Sequence, residues 1–171
     1  TTAGNYAVTI TVADGSEGSD STSFTWNILD ASDPAGLYYE YYQGNWDLLP
    51  NFDALTPVSS GTVANLSLAP RAQDDFFGFR FTGRIMISVP GTYTFYTNSD
   101  DGSQLFINGG LVVDNDGLHG PRERQGAITL DAGMHELAVT FFEKGGGANL
   151  SASWSGPGIA KTRIPDNVLR L

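Results

Sequence analysis

The sequence predicts an all-β fold: an antiparallel β-sandwich or barrel-like domain with an N-terminal β-hairpin. Its 171 residues suffice for one sizeable domain, and 40% of them are hydrophobic. Short apolar runs with a period of two recur along the chain, whereas no segment keeps a helical period over ten residues. The 21 glycines favour many tight turns, because glycine accepts turn conformations and weakens helix interiors.

The first 28 residues are predicted to form two strands around the polar stretch 14–20. Their alternating apolar positions are Tyr6, Val8, Ile10, Val12, Phe24, Trp26 and Ile28. Residues 1–28 resemble the closing strands of an immunoglobulin- or cadherin-like repeat in bacterial surface proteins. Residues 29–35 are predicted to be a linker, because Asp, Ser and Pro interrupt the strand period. An edge strand of the hairpin also predicts weak self-association.

Strand patterns recur every few residues from position 36 onward. Turn markers separate them, and Asn108-Gly109 predicts a type I′ hairpin because both residues tolerate a positive φ. Short strands at this spacing are typical of a sandwich or barrel. The predicted strands cover 37–42, 76–81, 85–89, 92–97, 104–107, 111–113, 127–130, 136–142 and 150–154.

The charge balance is strongly acidic, with 19 Asp and Glu against 9 Lys and Arg and a net charge of −10. Nucleic acid and anionic membranes are bound through Lys and Arg, so we expect neither as a partner. The absence of Cys excludes a disulfide and a thiolate site. No apolar run approaches the roughly 20 residues that span a bilayer, so we expect no membrane insertion. The first residues do not resemble a signal peptide, and we expect a segment of a longer exported protein.

Two consecutive carboxylates, Asp100 and Asp101, follow a predicted strand and precede Gly102. Adjacent carboxylates repel each other unless a cation lies between them or water screens both. Calcium needs about six to eight oxygen ligands, and an Asp pair at a strand end supplies several of them. From spacing alone, the pattern favours an ordinary Asp-Gly turn with solvated carboxylates.

Motifs of a known domain family occur in the correct order along most of the chain. They are 37–42 (LYYEYY), 78–83 (GFRFTG), 90–95 (PGTYTF), 99–103 (SDDGS), 113–120 (VDNDGLHG), 132–135 (AGMH) and 145–150 (GGGANL). Through these motifs, residues 36–171 resemble the protective-antigen (PA-fourteen) domain family of toxins, yeast flocculins, bacterial adhesins and glycosidase insertions. The resemblance implies a β-sandwich lectin domain.

The resemblance also implies a calcium site. In lectin members of the family, the Asp-Asp pair is joined by a cis peptide bond and both side chains hold one calcium ion. Asp100 and Asp101 match this pair. The remaining ligands come from a second loop, here residues 143–149, through the backbone carbonyls of Gly145 and Gly147 and the side chain of Asn149. The glycines of this loop also suit a tight turn in any protein.

The implied function is calcium-dependent binding of cell-surface or matrix glycans. Two vicinal hydroxyls of a saccharide replace two waters on the calcium, and neighbouring side chains select among stereoisomers. Beside Asp100 and Asp101, the expected sugar contacts are His119, Glu143, Lys144 and Gln73, each of which also fits a solvated surface position. Residues 114–117 lack the EF-hand spacing, so we expect a supporting loop there.

We expect a binding module and not an enzyme. His135-Glu136 begins like a zincin motif, but Val139 stands where the second His is required. No Gly-x-Ser-x-Gly elbow and no phosphate-binding glycine loop occur. The expected parent protein is a secreted or cell-surface bacterial adhesin. Two alternatives stay open: an accessory domain of a glycosidase, and a structural or protein-interaction module of a repeat-built surface protein.

Overall fold

The computed structural model describes the backbone of residues 4–13, 19–28 and 33–171 and the side chains of 6–13, 19–23 and 33–171. The chain divides into two compact units, Thr1–Asp33 and Pro34–Leu171. Within the first unit, β1 (Gly4–Ala13) pairs antiparallel with β2 (Ser19–Ile28), which confirms the predicted hairpin. Residues 14–18 of the predicted turn at 14–20, residues 29–32 of the predicted linker at 29–35 and the side chains of residues 24–28 lie outside the described residues. Residues 19 and 20, predicted as part of the turn, belong to β2.

The second unit is described throughout and consists almost entirely of strands joined by short turns. Two 3₁₀ helices, Phe52–Ala54 and Asp166–Val168, are its only helical segments. The strands are β3 (Leu37–Gln43), β4 (Ser59–Val63), β5 (Phe77–Ile87), β6 (Gly91–Asp100), β7 (Ser103–Ile107), β8 (Gly110–Asn115), β9 (Arg122–Leu130), β10 (Gly133–Glu143), β11 (Asn149–Gly156), β12 (Ile159–Arg163) and β13 (Leu169–Arg170). Within the described residues, no helix is long and apolar enough to cross a membrane.

These strands form two antiparallel sheets. The larger sheet has the order β4-β3-β5-β10-β7-β8, with β13 pairing on β5, and the smaller sheet has the order β12-β11-β6-β9. All of the pairings are antiparallel. The predicted all-β sandwich is therefore confirmed.

The core lies between the inner faces of the two sheets, where apolar side chains recur at every second residue. In the pairing of β5 with β10, Phe79 lies opposite Phe141 and Phe81 lies opposite Val139. Each of these four side chains is at most 1% exposed. The smaller sheet contributes Trp154, which is 4% exposed. Burying a side chain of this size is worth about 1.5–3 kcal/mol, so this core stabilises the second unit.

Local turn chemistry is confirmed, whereas one predicted strand boundary is wrong. Asn108 and Gly109 have φ values of 50° and 76° and join β7 to β8, as a type I′ turn requires. The predicted strands 76–81 and 85–89 are one strand, β5, because the intervening residues continue the ladder: Gly83 pairs with Leu137 of β10. The edge strands β4 and β12 have too few apolar residues to show a period of two, and the sequence pattern missed them.

Removing residues 1–33 tests whether the second unit folds alone. Its chain ends meet within the unit, since the Leu171 N–H donates to the Pro34 carbonyl oxygen at 2.9 Å. We expect the fragment 34–171 to give a β-type circular dichroism spectrum and a cooperative thermal transition within about 5 °C of the complete chain. A fragment without a cooperative transition would show that the hairpin strands are part of the sandwich.

Candidate metal and ligand site

The inner face of β6 changes from aromatic to polar toward its C-terminal end. Tyr93 and Phe95 are buried, and buried Thr97 and Ser99 follow them at the same spacing of two residues. The hydroxyl of Ser103 donates to Thr97 Oγ1 at 3.1 Å and lies 2.8 Å from Ser99 Oγ. Buried hydroxyls are tolerated when they bond to one another. One end of the core is therefore a polar network.

Asn115 extends this network to the loop that follows β8. Its side chain is fully buried, and its Nδ2 donates to Ser99 Oγ and to the Arg122 carbonyl oxygen, both at 3.0 Å. Its Oδ1 accepts from Arg122 Nε at 2.7 Å. These bonds attach both ends of the loop 116–121 to the sandwich. This arrangement agrees with the supporting loop expected at residues 114–117.

Asp100 and Asp101 lie where β6 leaves the polar end of the core. The peptide bond between them is cis, as the family resemblance implied. Asp101 is only 6% exposed; its Oδ1 accepts from the His119 N–H at 2.9 Å and its Oδ2 from the Lys144 N–H at 3.1 Å. One carboxylate thus joins two loops that are far apart in sequence.

Gly102 follows the pair because no larger residue fits. A Cβ atom at this position would lie 2.5 Å from Phe142 Cε1 and 2.9 Å from Asp116 Oδ1. The Gly102 carbonyl oxygen also accepts from the Phe142 N–H at 3.0 Å. The end of β6 is therefore held directly against the end of β10.

Glu143, the last residue of β10, completes a group of three carboxylates. Oxygen atoms of Asp100, Asp101 and Glu143 lie within 4.8 Å of one another, which is the spacing of a shared metal ion. The Glu143 side chain is 0% exposed, and neither of its oxygens has a hydrogen-bond partner among the described residues. A buried carboxyl group without a partner is costly unless a proton or a cation neutralises it.

The charges of the group act on one another. Burial, together with the negative charges of Asp101 and Asp100, raises the pKa of the Glu143 carboxyl to about 7. The backbone N–H groups of Gly145 and Asp101 lower this pKa in part, although neither reaches hydrogen-bond geometry with the carboxylate. Burial and the Asp101 charge also raise the pKa of Asp100, against the opposing influence of His119.

The glycine-rich loop after β10 lies beside the pair, as the resemblance implied. Asn149 starts β11 and pairs with Asp100 in the ladder. A Cβ atom on Gly147 would lie 3.7 Å from Asp100 Oδ2. The Gly146 N–H donates to Asp75 Oδ1 at 3.1 Å, and a Cβ atom on Gly145 would lie 3.9 Å from the same oxygen. Asp75 therefore fixes the loop, a role that the sequence did not indicate.

The side chains expected to meet a sugar differ in their placement. Glu143 is buried within the carboxylate group, so its expected role as an exposed sugar contact is corrected to that of a candidate metal ligand. Gln73 Nε2 donates to the carbonyl oxygens of Asp75 and Phe76 at 2.6 and 2.7 Å, and its donors are thereby occupied in the loop.

His119 and Lys144 contact Asp101 with their backbone N–H groups and not with their side chains. The His119 ring nitrogens lie 2.8 Å from the Gly120 carbonyl oxygen and 2.9 Å from that of Asn115, so the ring holds the backbone of its own loop. Lys144 Nζ forms an ion pair with Asp47. Neither side chain points as a free donor into the site.

An open depression of about 450 Å³ adjoins the carboxylate group through Asp101. Phe76, Leu118, Lys144 and Gly145 line the rest of it. A cavity of similar volume, about 460 Å³, lies on the larger sheet around Phe106 and Leu137 and contains no member of the carboxylate group. Only the first of these depressions can receive a ligand that also reaches the carboxylates.

A family model described as the PA14 domain matches residues 34–167. The chain therefore belongs to the PA14 domain family, and the resemblance to the protective-antigen family is confirmed. A curated relative, anti-sigma-I factor RsgI3 of Acetivibrio thermocellus, is 30% identical over 96 residues, or 56% of this chain. The match spans only 15% of that relative's length.

Solved structures share the same fold. An anti-sigma factor domain-containing protein is similar with a TM-score of 0.71 at 21% identity, over 89% of this chain and 59% of that one. The PA14 sugar-binding domain from an RTX adhesin is similar with a TM-score of 0.65 at 22% identity, over 80% of this chain and 98% of that one. At these identities the likeness establishes the fold.

The raised pKa of Glu143 predicts that the protein without metal becomes less stable as the pH rises. Between the ordinary value of 4.5 and the folded value of about 7, the folded state holds a proton that the unfolded state has released. Stability must therefore fall as the pH rises through this window. In urea unfolding with chelator present, the wild type should lose roughly 1–3 kcal/mol of unfolding free energy between about pH 5 and about pH 8. The variant Glu143→Gln should not show this loss. The same pH dependence in wild type and variant would contradict the uncompensated burial of Glu143.

Proposed function

We propose that residues 34–171 are a non-catalytic, calcium-dependent carbohydrate-binding module. The observation that carries this proposal is the fully buried Glu143 side chain, whose two unpartnered oxygens lie beside Asp100 and Asp101. Three carboxylates in so small a volume are unfavourable without a cation, because burial removes the water that would solvate them.

The donor chemistry supports calcium as this cation. Three ionised carboxylates carry a formal charge of −3, and all of their donor atoms are oxygens. Calcium accepts about six to eight oxygen ligands in flexible geometry. Asp100, Asp101 and Glu143 would hold the ion, and the carbonyl oxygens of Gly145 and Gly147 are close enough in the chain to contribute. The Asn149 side chain is the further ligand that the family resemblance implies.

The chain orients these ligands before a metal binds. The N–H groups of His119 and Lys144 fix both oxygens of Asp101. A carboxylate oxygen that accepts one hydrogen bond keeps a second lone pair, so Asp101 can still coordinate a cation. Calcium, when bound, supplies coordination positions that two vicinal hydroxyls of a saccharide can occupy.

The comparisons support carbohydrate as the ligand class. The chain belongs to the PA14 family and is similar to the sugar-binding domain of an RTX adhesin. We propose cell-surface or matrix glycans as the partners and an exported adhesin as the parent protein. The net charge of −10 disfavours nucleic acid as a competing partner.

The 30% identity to an anti-sigma factor favours a second candidate for the parent protein. In that case the module is the saccharide-binding domain of a regulatory protein. The chemistry of the site is the same in both candidates, so the sequences that flank the module distinguish them.

Glycan binding with and without calcium tests the proposal. We expect a fluorescently labelled protein to bind neutral saccharides on a glycan array, to lose the signal in chelator and to regain it when calcium is added. Asp101→Asn should weaken calcium binding in a calorimetric titration at least about 10-fold, because a charged ligand is replaced by a neutral one. Glycan binding should fall in parallel.

Asp74→Asn is the matched control. Asp74 also belongs to an Asp-Asp pair, but its side chain is 89% exposed and pairs with Arg71. This variant should bind calcium and glycans like the wild type. Glycan binding that survives chelator, or that survives in Asp101→Asn, would place the saccharide site elsewhere and refute the proposal.

A further inference from the structure

Phe76 is an aromatic side chain held out of the core beside the carboxylate group. It is 44% exposed, whereas its neighbour Phe77 is fully buried. Its φ of 58° lies in the left-handed region, which is rare for a bulky residue. Conformations of this kind persist where surrounding contacts enforce them, and they concentrate at ligand sites.

Hydrogen bonds enforce this conformation. The Phe76 carbonyl oxygen accepts from the Gly44 N–H at 2.9 Å and from Gln73 Nε2 at 2.7 Å. Gln73 Nε2 also donates to the carbonyl oxygen of Asp75, the residue that fixes the glycine-rich loop. The segment that presents Phe76 is thus attached to the same loop that borders the carboxylates.

Leu118 presents a second exposed apolar side chain to the same depression. It is 50% exposed, and the N–H of the next residue, His119, bonds to Asp101 Oδ1. Phe76, Leu118 and Asp101 line one open depression. Exposed apolar side chains that adjoin a polar site are typical of a ligand-binding surface, where a ligand covers them.

The charges around the depression favour a neutral ligand. Lys144 is the cationic residue in its lining, and its Nζ is paired with Asp47. Asp101 itself is ionisable and acidic, and the chain carries a net charge of −10. An acidic saccharide would meet no free cationic side chain in this lining, and a bound calcium ion would not outweigh the formal charge of −3 on the three carboxylates.

We infer that Phe76 and Leu118 are specificity-determining residues that contact an apolar edge of the saccharide. The site then prefers 6-deoxyhexoses, in which a methyl group replaces the hydroxymethyl group of the parent hexose. A methyl group against these side chains gains apolar burial, whereas a hydroxyl there loses hydration without a partner. This inference rests on the proposed function and deepens it.

Sugar pairs that differ only at C6 test the inference in calcium-loaded protein. L-fucose is compared with L-galactose, and L-rhamnose with L-mannose, by calorimetry or ligand-observed NMR. In at least one pair we expect the deoxy sugar to bind about threefold to tenfold more tightly. Phe76→Asn and Leu118→Asn should remove this preference. Asn suits Phe76 because it tolerates a left-handed φ, and Leu118→Asn tests the same depression from an independent loop.

Calcium affinity measured without sugar separates this inference from the proposed function. It should be unchanged in both variants. Val89→Asn changes an exposed apolar residue in the turn before β6, at the end of the strand remote from Asp100, and should keep the sugar preference. Wild-type binding with no preference in either pair, or a preference that both variants retain, overturns the inference and leaves the proposed function intact. Failure of every saccharide to bind the calcium-loaded wild type would instead refute the proposed function.

Discussion

Mutual repulsion among the carboxylates of half-buried Asp100 and of buried Asp101 and Glu143 is the constraint on which this end of the sandwich depends. Their oxygens lie within 4.8 Å of one another, and no cationic side chain among the described residues pairs with them. Such an arrangement costs stability unless a cation compensates it. Proteins keep unfavourable local arrangements where function requires them, and the raised pKa of Glu143 is the local sign of this cost.

The fold produces this arrangement by letting two core strands end in polar residues. On β10, the buried positions Leu137, Val139 and Phe141 are followed at the same spacing by Glu143. On β6, the aromatic inner face gives way to hydroxyl groups before the Asp pair. The Asp101 carboxylate then joins the loops after β8 and β10 by two backbone hydrogen bonds. The ends of β6 and β10 therefore position Asp100 and Glu143, and Asp101 directly follows β6.

The sequence predicted most of the strands, the Asn108-Gly109 turn and the position of Asp100 and Asp101 at the end of a strand. Each of these features depends on residues that are neighbours in the chain. The burial of Glu143 had a local signal, since it continues the inward-facing period of β10. A Glu followed by Lys and three glycines is nevertheless equally typical of a solvated strand end, and the sequence alone could not choose. The conformation of Phe76 depends on Gly44 and Gln73, which only the tertiary structure brings together. Edge strands rich in Ser, Thr and charged residues lacked the apolar alternation that reveals a strand.

An anomalous difference map from crystals of the protein grown with calcium tests the proposed metal site directly. We expect one strong peak at about 2.3–2.6 Å from carboxylate oxygens of Asp100, Asp101 and Glu143. A peak held by other residues, or a peak beside the Asp pair that leaves Glu143 without contact, would contradict the proposed site.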